Sequence, residues 1–227
     1  MRKNSLTALL ALACLMVSAL PFAAQVKAAE AEKTIRAARS TLADFLSDPD
    51  MRWLKDHFRE AKGVLIIPER NKGGFIFAGS GGVGVLLARD AKGRWSEPAF
   101  YRLGSVSVGF QIGGERSEVI LFIRSQKGVD SFLASSLKLG GEASVAAGPV
   151  GQGAQAATAD ILSFSRSKGA FVGASLEGTV VSPSEELNRA FYGKIASPVD
   201  ILVRNSVRNP KAVDLREAIS RIGEGRQ

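Results

Sequence analysis

The spacing of apolar side chains changes along the chain, and the changes divide it into helical and extended parts. Ile35, Ala38, Leu42, Phe45 and Leu46 recur at three- and four-residue intervals within 29–47. That spacing predicts an amphipathic helix whose apolar stripe is about 100° wide. Arg36 and Arg39 lie along one edge of the stripe, with Lys33 and Asp44 opposite. Asp48-Pro49 supplies a cap and a first-turn proline for a second helix, which buries Leu54, Phe58 and Ala61 and stops near Gly63. From there the period falls to two, and 64–68, 75–79, 82–88, 99–103, 105–113 and 118–124 read as strands. In SVSVGFQIG (105–113), Val106, Val108, Phe110 and Ile112 face one way and the intervening residues the other. Turn chemistry separates these runs at 71–74, 90–93 and 113–115. A short helix is expected within 127–136. The Gly- and Ala-rich alternation of 137–150 follows, then strands at 160–165 and 169–181 and helices at 184–192, 199–204 and 212–222. The fold class is α+β: a largely antiparallel, strongly curved or barrel-like sheet with helices at both ends of the chain.

The first 28 residues have a different character. Arg2 and Lys3 precede an apolar run from Leu6 to Leu20, Pro21 breaks it, and Val26-Lys27-Ala28 offers compact residues at −3 and −1. This is the layout of a secretory signal peptide, too short for a spanning helix, with cleavage expected after Ala28. The organisation expected is a signal peptide at 1–28, one domain at 29–204 and a helical tail at 205–227. Cys14 is the only cysteine. It either leaves with the signal or, because Ala11-Leu12-Ala13-Cys14 loosely matches a lipoprotein cleavage box, carries an acyl anchor. In the first case disulfides, thiol catalysis and Cys-ligated metals are excluded. Removing Arg2, Lys3 and Lys27 lowers the formal charge from +8 to +5. That balance suits anionic surfaces and falls short of a nucleic-acid binder.

GSGGVG at 79–84 is a literal G-x-G-x-x-G. A dinucleotide turn needs a helix after its third glycine and an acidic residue about 20 positions on. Here only VLLARD separates Gly84 from the turn at 91–93, and the position 20 beyond is Gly104. The glycines are expected instead to let a sheet bend or a neighbour approach its backbone. His57 is the only histidine and no G-x-S-x-G elbow occurs. Asp48 and Asp50 read as helix-start residues, as do Glu185 and Glu186. No catalytic set, metal site or cofactor site emerges.

Seven segments in order carry a resemblance: AKGVLIIP (61–68), GGFIFAGSGGVGVLLARD (73–90), GRWSEPAFY (93–101), LGSVSVGFQIGG (103–114), LGGEASVAAGPVGQ (139–152), SKGAFVGASLEG (167–178) and NRAFYG (188–193). Together they resemble the SYLF domain, found alone in exported bacterial proteins and joined to SH3 or FYVE modules in eukaryotic ones. The resemblance spans about Ala31 to Gly193. It implies a non-enzymatic lipid-binding module, with phosphoinositides as ligands of eukaryotic members and actin as a partner of some fungal ones. It also implies that an amphipathic helix at the domain's start meets lipid. On this chain Lys33, Arg36 and Arg39 would meet headgroups, with Ile35, Leu42, Phe45 and Leu46 beneath them.

The residues themselves leave two destinations for that stripe: a membrane interface or the face of the sheet. Glu30, Glu32 and Asp44 cancel the three positive charges. Lys55, Arg59 and Lys62 are available to add to them. For an exported protein the expected partner is an anionic phospholipid or membrane surface of the cell envelope, not actin or nucleic acid. A pocket of the curved sheet is a second possible lipid site. The alternative is a structural or protein-interaction module of the envelope.

Overall fold

The computed structural model describes residues 4–74, 77–108, 115–148, 158–167, 170–171 and 176–223. Helix α1 (Asn4–Ser47) extends the helix expected at 29–47 back to Asn4, through Pro21; the Ala- and Leu-rich run before it has high helix propensity. No helix among the described residues is long and apolar enough to cross a membrane. The Asp48 carboxylate accepts the Asp50 amide at 2.9 Å and opens a 3₁₀ turn at Pro49–Met51, leading to α2 (Arg52–His57). A second 3₁₀ turn ends at Glu60, and β1 begins at Gly63. Leu54, Phe58 and Ala61 are buried, as expected.

Four long strands form the centre: β1 (Gly63–Gly74), β2 (Phe77–Ala88), β3 (Ala99–Val108) and β4 (Glu115–Ile123). Then follow α3 (Gln126–Ser131), β5 (Leu137–Lys138), β6 (Val145–Ala147), β7 (Ile161–Ser167), β8 (Ala170–Phe171), β9 (Val180–Pro183) and α4 (Glu185–Tyr192). A π-helical turn at Val199–Val203 and a 3₁₀ turn at Pro210–Ala212 lead into α5 (Val213–Gly223). The sheet order is β5-β9-β3-β2-β1-β4-β7-β6, with β8 on β7. Every pairing is antiparallel except β6 with β7, and the sheet curls into a half-barrel.

Two pairs of expected strands are each one strand. The runs at 75–79, from Phe77 on, and 82–88 belong to β2, and those at 99–103 and 105–113 to β3, as far as Val108. The turn expected at 71–74 lies inside β1, which pairs from Asn71↔Gly81 to Gly74↔Ala78. A ladder closed on both sides outweighs local turn propensity, because each strand residue gains hydrogen bonds from two neighbours. The end of the 105–113 alternation, the turn glycines 113–114 and the end of 137–150 lie outside the described residues. The strand expected at 169–181 is described as β8 and β9, with 172–175 also outside. The turn at 90–93 forms as read: Asp90 Oδ1 accepts the Lys92 and Arg94 amides at 2.9 Å, and Gly93 has φ +81°.

Both faces of the sheet are covered, so VLII, VLLA and VILF are near-continuous apolar runs rather than alternating ones. Val64, Ile66, Val85, Leu87, Phe100 and Phe122 pack under α1, α2, α4 and α5. Leu65, Ile67, Leu86, Tyr101 and Leu121 pack on the other side, with Val129 and Phe132 and with the 196–207 segment. Segment 205–227, expected as a helical tail, carries α5, whose Leu215 and Ile219 are fully buried with Ala31 and Phe58. The helix is an integral layer of the domain.

The glycines of GSGGVG sit within β2. The register of β1 slips between Ile66 and Glu69, and this bulge bears on Gly82 and Gly84. A Cβ on Gly84 would stand 2.6 Å from the Ile66 carbonyl oxygen, and one on Gly82 2.7 Å from that of Glu69. Close backbone approach is therefore the role of these glycines. Gly84 opens no helix.

Candidate lipid-contact surface

The stripe of α1 faces inward because a half-buried helix must cover its apolar side. Ile35, Leu42 and Phe45 are buried in the core beneath it, and Leu46 is half-buried against the same cluster. Of the seven residues expected to meet lipid, the sheet therefore covers three and partly covers a fourth. Lys33, Arg36 and Arg39 all lie outside and exposed. Arg36 stands 3.7 Å from Glu32, and Arg39 3.7 Å from Asp214 of α5. Lys33 has no hydrogen-bond or ion-pair partner among the described residues. At such distances on the surface these pairs are weak, and the guanidinium groups remain available to other anions.

Polar contacts fix the helix to the sheet. The buried Thr41 hydroxyl donates to Glu118 Oε1 at 2.7 Å. Arg166 donates to Glu118 Oε2, lies 3.4 Å from Asp44 and stacks over the Phe45 ring at 5.4 Å. The Glu118 hydrogen bond holds the Arg166 pKa above its ordinary value, so the cation is permanent. Lys211 donates to Glu32 from the far side, and Lys27 bridges Glu30 at 2.9 Å and Glu186 at 3.5 Å. Sequence spacing gave no hint of the Thr41–Glu118–Arg166 set, whose members are 77 and 48 residues apart.

On either side of α1 an open trough exposes the sheet, and the two meet at the bulge residues Pro68 and Glu69. The first, about 490 Å³, has Glu30, Lys33 and Thr34 as its helical wall and Asn71, Gly81 and Arg102 on its floor. The second, about 480 Å³, lies among Asp44, Glu69, Arg116, Glu118 and Arg166. Each mixes both signs of charge, as a polar surface trough does. His57 is stacked on Trp53 at 4.1 Å and its Nδ1 lies 2.9 Å from the Trp53 carbonyl oxygen, so its role is local. No group of acidic, His or Cys side chains suited to a metal occurs among the described residues.

Comparison with known proteins matches residues 104–222 to the Ysc84 family, described as "Las17-binding protein actin regulator". LAS seventeen-binding protein 3 of Saccharomyces cerevisiae is 36% identical over 167 residues, covering 70% of this chain and 36% of that protein. Protein YSC84 of the same yeast is 36% identical over 164 residues, covering 69% and 35%. SH3 domain-containing YSC84-like protein 1 of Homo sapiens is 33% identical over 171 residues, covering 73% and 50%. The chain thus spans about a third to a half of the length of the relatives it matches. Their names describe binding and regulation rather than reactions. With the curled sheet, the terminal helices and this breadth of identity, the chain belongs to the Ysc84, or SYLF-domain, family.

Proposed function

We propose that this chain is a non-enzymatic module of the cell envelope that docks on anionic lipid through the outer face of α1. The carrying observation is that Lys33, Arg36 and Arg39 are exposed on a helix whose apolar stripe is held in the core. Each basic side chain near an anionic surface contributes about 1 kcal/mol, so the three act as a weak electrostatic patch. Lys55, Arg59 and Lys62, also exposed, add to it. Ile35, Leu42, Phe45 and Leu46 serve this contact indirectly, by keeping the helix on the sheet.

Export is part of the proposal. Among the side chains described from Ala24 onward, the first that is buried is Ala31, so cleavage after Ala28 removes none of the described core. A second reading, a protein-interaction module, is favoured by the names of the yeast relatives, which refer to a protein partner. Co-sedimentation with phosphatidylcholine vesicles, with and without phosphatidylglycerol, tests the lipid reading. Preferential pelleting with the anionic vesicles is expected, and its weakening in the Lys33→Gln, Arg36→Gln, Arg39→Gln variant. Equal pelleting with both vesicle types would refute the electrostatic contact.

A further inference from the structure

The most exposed large apolar side chain described is not on α1. Ile195 is 87% exposed, and Val203, eight residues on, is 55% exposed. Both project from one closed excursion of the chain. Helix α4 ends at Gly193 with φ +68°, and Lys194 Nζ reaches the Ser206 carbonyl oxygen at 3.3 Å, tying the two ends of the lobe. Within it Ser197 Oγ donates to Asp200 Oδ2 at 2.6 Å, Arg204 Nη1 reaches Asp200 Oδ1 at 3.0 Å, and the Ser206 amide donates to the Asp200 carbonyl oxygen. Ala196, Ile201, Leu202 and Val207 point into the core. The lobe has a packed interior, and Ile195 and Val203 are its exposed apolar residues.

Charge along this stretch of the chain is strongly one-sided. Between 189 and 211 five basic residues stand against the single Asp200, a net +4 beside +8 for the whole chain. Asp200 is engaged by Ser197 and Arg204, and Lys211 by Glu32. Arg189, Lys194 and Arg208 have no acidic partner among the described residues. Exposed aliphatic tips in a segment that also exposes unpaired cations match the chemistry of an anionic bilayer, whose phosphates meet the cations while the tips enter the headgroup boundary. A protein interface of similar strength is built around aromatic anchors in a broad buried patch, with lysine depleted.

The geometry points to the 193–207 lobe as a second bilayer contact, with Ile195 and Val203 entering anionic lipid and Arg189, Lys194 and Arg208 meeting its phosphates. This contact rests on the lipid-surface reading above; because the lobe packs on the face of the sheet opposite α1, it is a bilayer contact in its own right, and it inserts apolar side chains where docked α1 presents none. The test uses the full chain and the same two vesicle types. Arg189→Gln, Lys194→Gln, Arg208→Gln is expected to lower partitioning into anionic vesicles about 100-fold, at about fivefold per charge. Ile195→Ser, Val203→Ser is expected to lower it about tenfold or more. Because Ile195 and Val203 are exposed, the thermal midpoint of the serine variant stays at the wild-type value. An Ile195→Trp variant is expected to shift its emission to the blue on anionic vesicles and to be quenched by brominated acyl chains. If the wild type binds while the serine variant binds equally well, or the new tryptophan neither shifts nor is quenched, the lobe contact is refuted and the α1 reading stands. If the wild type binds neither vesicle, both fall.

Discussion

Gly84→Ala tests the fold through a single added carbon. The new Cβ would lie 2.6 Å from the Ile66 carbonyl oxygen and 2.8 Å from Ile67 Cγ1. Both distances are about 0.7 Å or more inside a comfortable non-bonded approach. Neither neighbour is free to retreat. Ile66 pairs with Val85 on one side and Ile120 on the other, and Ile67 is fully buried on the opposite face. Overpacking of this kind costs about 1–3 kcal/mol, and alanine recovers about 0.5–1 kcal/mol by being stiffer than glycine in a strand. The net loss is about 1–2 kcal/mol, which for a domain of this size lowers the melting midpoint by about 2–8 °C. Gly81→Ala is the control: its Cβ meets nothing nearer than the Leu103 carbonyl oxygen at 3.6 Å. It should be neutral or slightly stabilising. Urea unfolding followed by circular dichroism measures both. If Gly84→Ala were as stable as Gly81→Ala, close approach at the β1 bulge would not be the reason for glycine at 84.

Four further outcomes follow from the polar contacts and the terminus. Glu97 is 3% exposed and accepts from Arg216 Nη1 at 2.7 Å, so Arg216→Met leaves a buried carboxylate without its cation, holding among the described residues only the Asn209 amide at 3.3 Å, and should cost about 3 kcal/mol in urea titrations. Arg39→Gln, which loses only a surface pair to Asp214, should cost less than about 0.5 kcal/mol. Asp160 accepts from the Ser125 hydroxyl at 2.6 Å and from Ser144, which holds its carboxyl below the ordinary 3.8. A carboxylate with a lowered folded pKa contributes stability above its unfolded value and loses it as pH falls through the folded one. The wild type should therefore lose urea resistance faster than Asp160→Asn below about pH 4, and parallel acid limbs would contradict this. Deleting 1–28 should leave the melting midpoint nearly unchanged, because none of the side chains described from Ala24 to Ala28 is buried and the Lys27–Glu186 pair is a surface one.

What the sequence disclosed was what local physics decides. The α1 stripe, the Asp48-Pro49 start and the 90–93 turn are each set by neighbours within a few residues, and each is found in place. Pairing was not legible in the same way. Ser80-Gly81 and Gly104 looked like interruptions, yet Ser80 pairs with Ser105 and Gly81 with Gly104 inside an unbroken ladder. Burial on both faces removed the alternation that marks strand limits. The Thr41–Glu118–Arg166 set had no signal at all, because it depends on how α1 crosses β4 and β7. The cation excess of 189–211 was present in the sequence. Reading it as a surface required knowing that Ile195 faces out while Ala196 and Ile201 face in.

An apolar stripe can cover only one surface at a time, and energetics decides which. Ile35, Leu42 and Phe45 are fully or almost fully buried, and burying side chains of this size is worth about 1.5–3 kcal/mol each. Lifting α1 would also uncover Val64, Ile66, Val85 and Phe122 beneath it and break the Thr41–Glu118 hydrogen bond. A bilayer that accepts the helix repays the first loss but not the exposed sheet. Three basic residues at about 1 kcal/mol each do not offset that exposure. Docking with α1 in place is therefore the lower-energy mode. Hydrogen exchange discriminates the two: amides of 35–45 should keep their protection when anionic vesicles are added, and only outward-facing segments should change. Loss of protection in 35–45 together with 64–67 would mean that the helix leaves the sheet on binding, and the docked geometry would then be the resting state rather than the bound one.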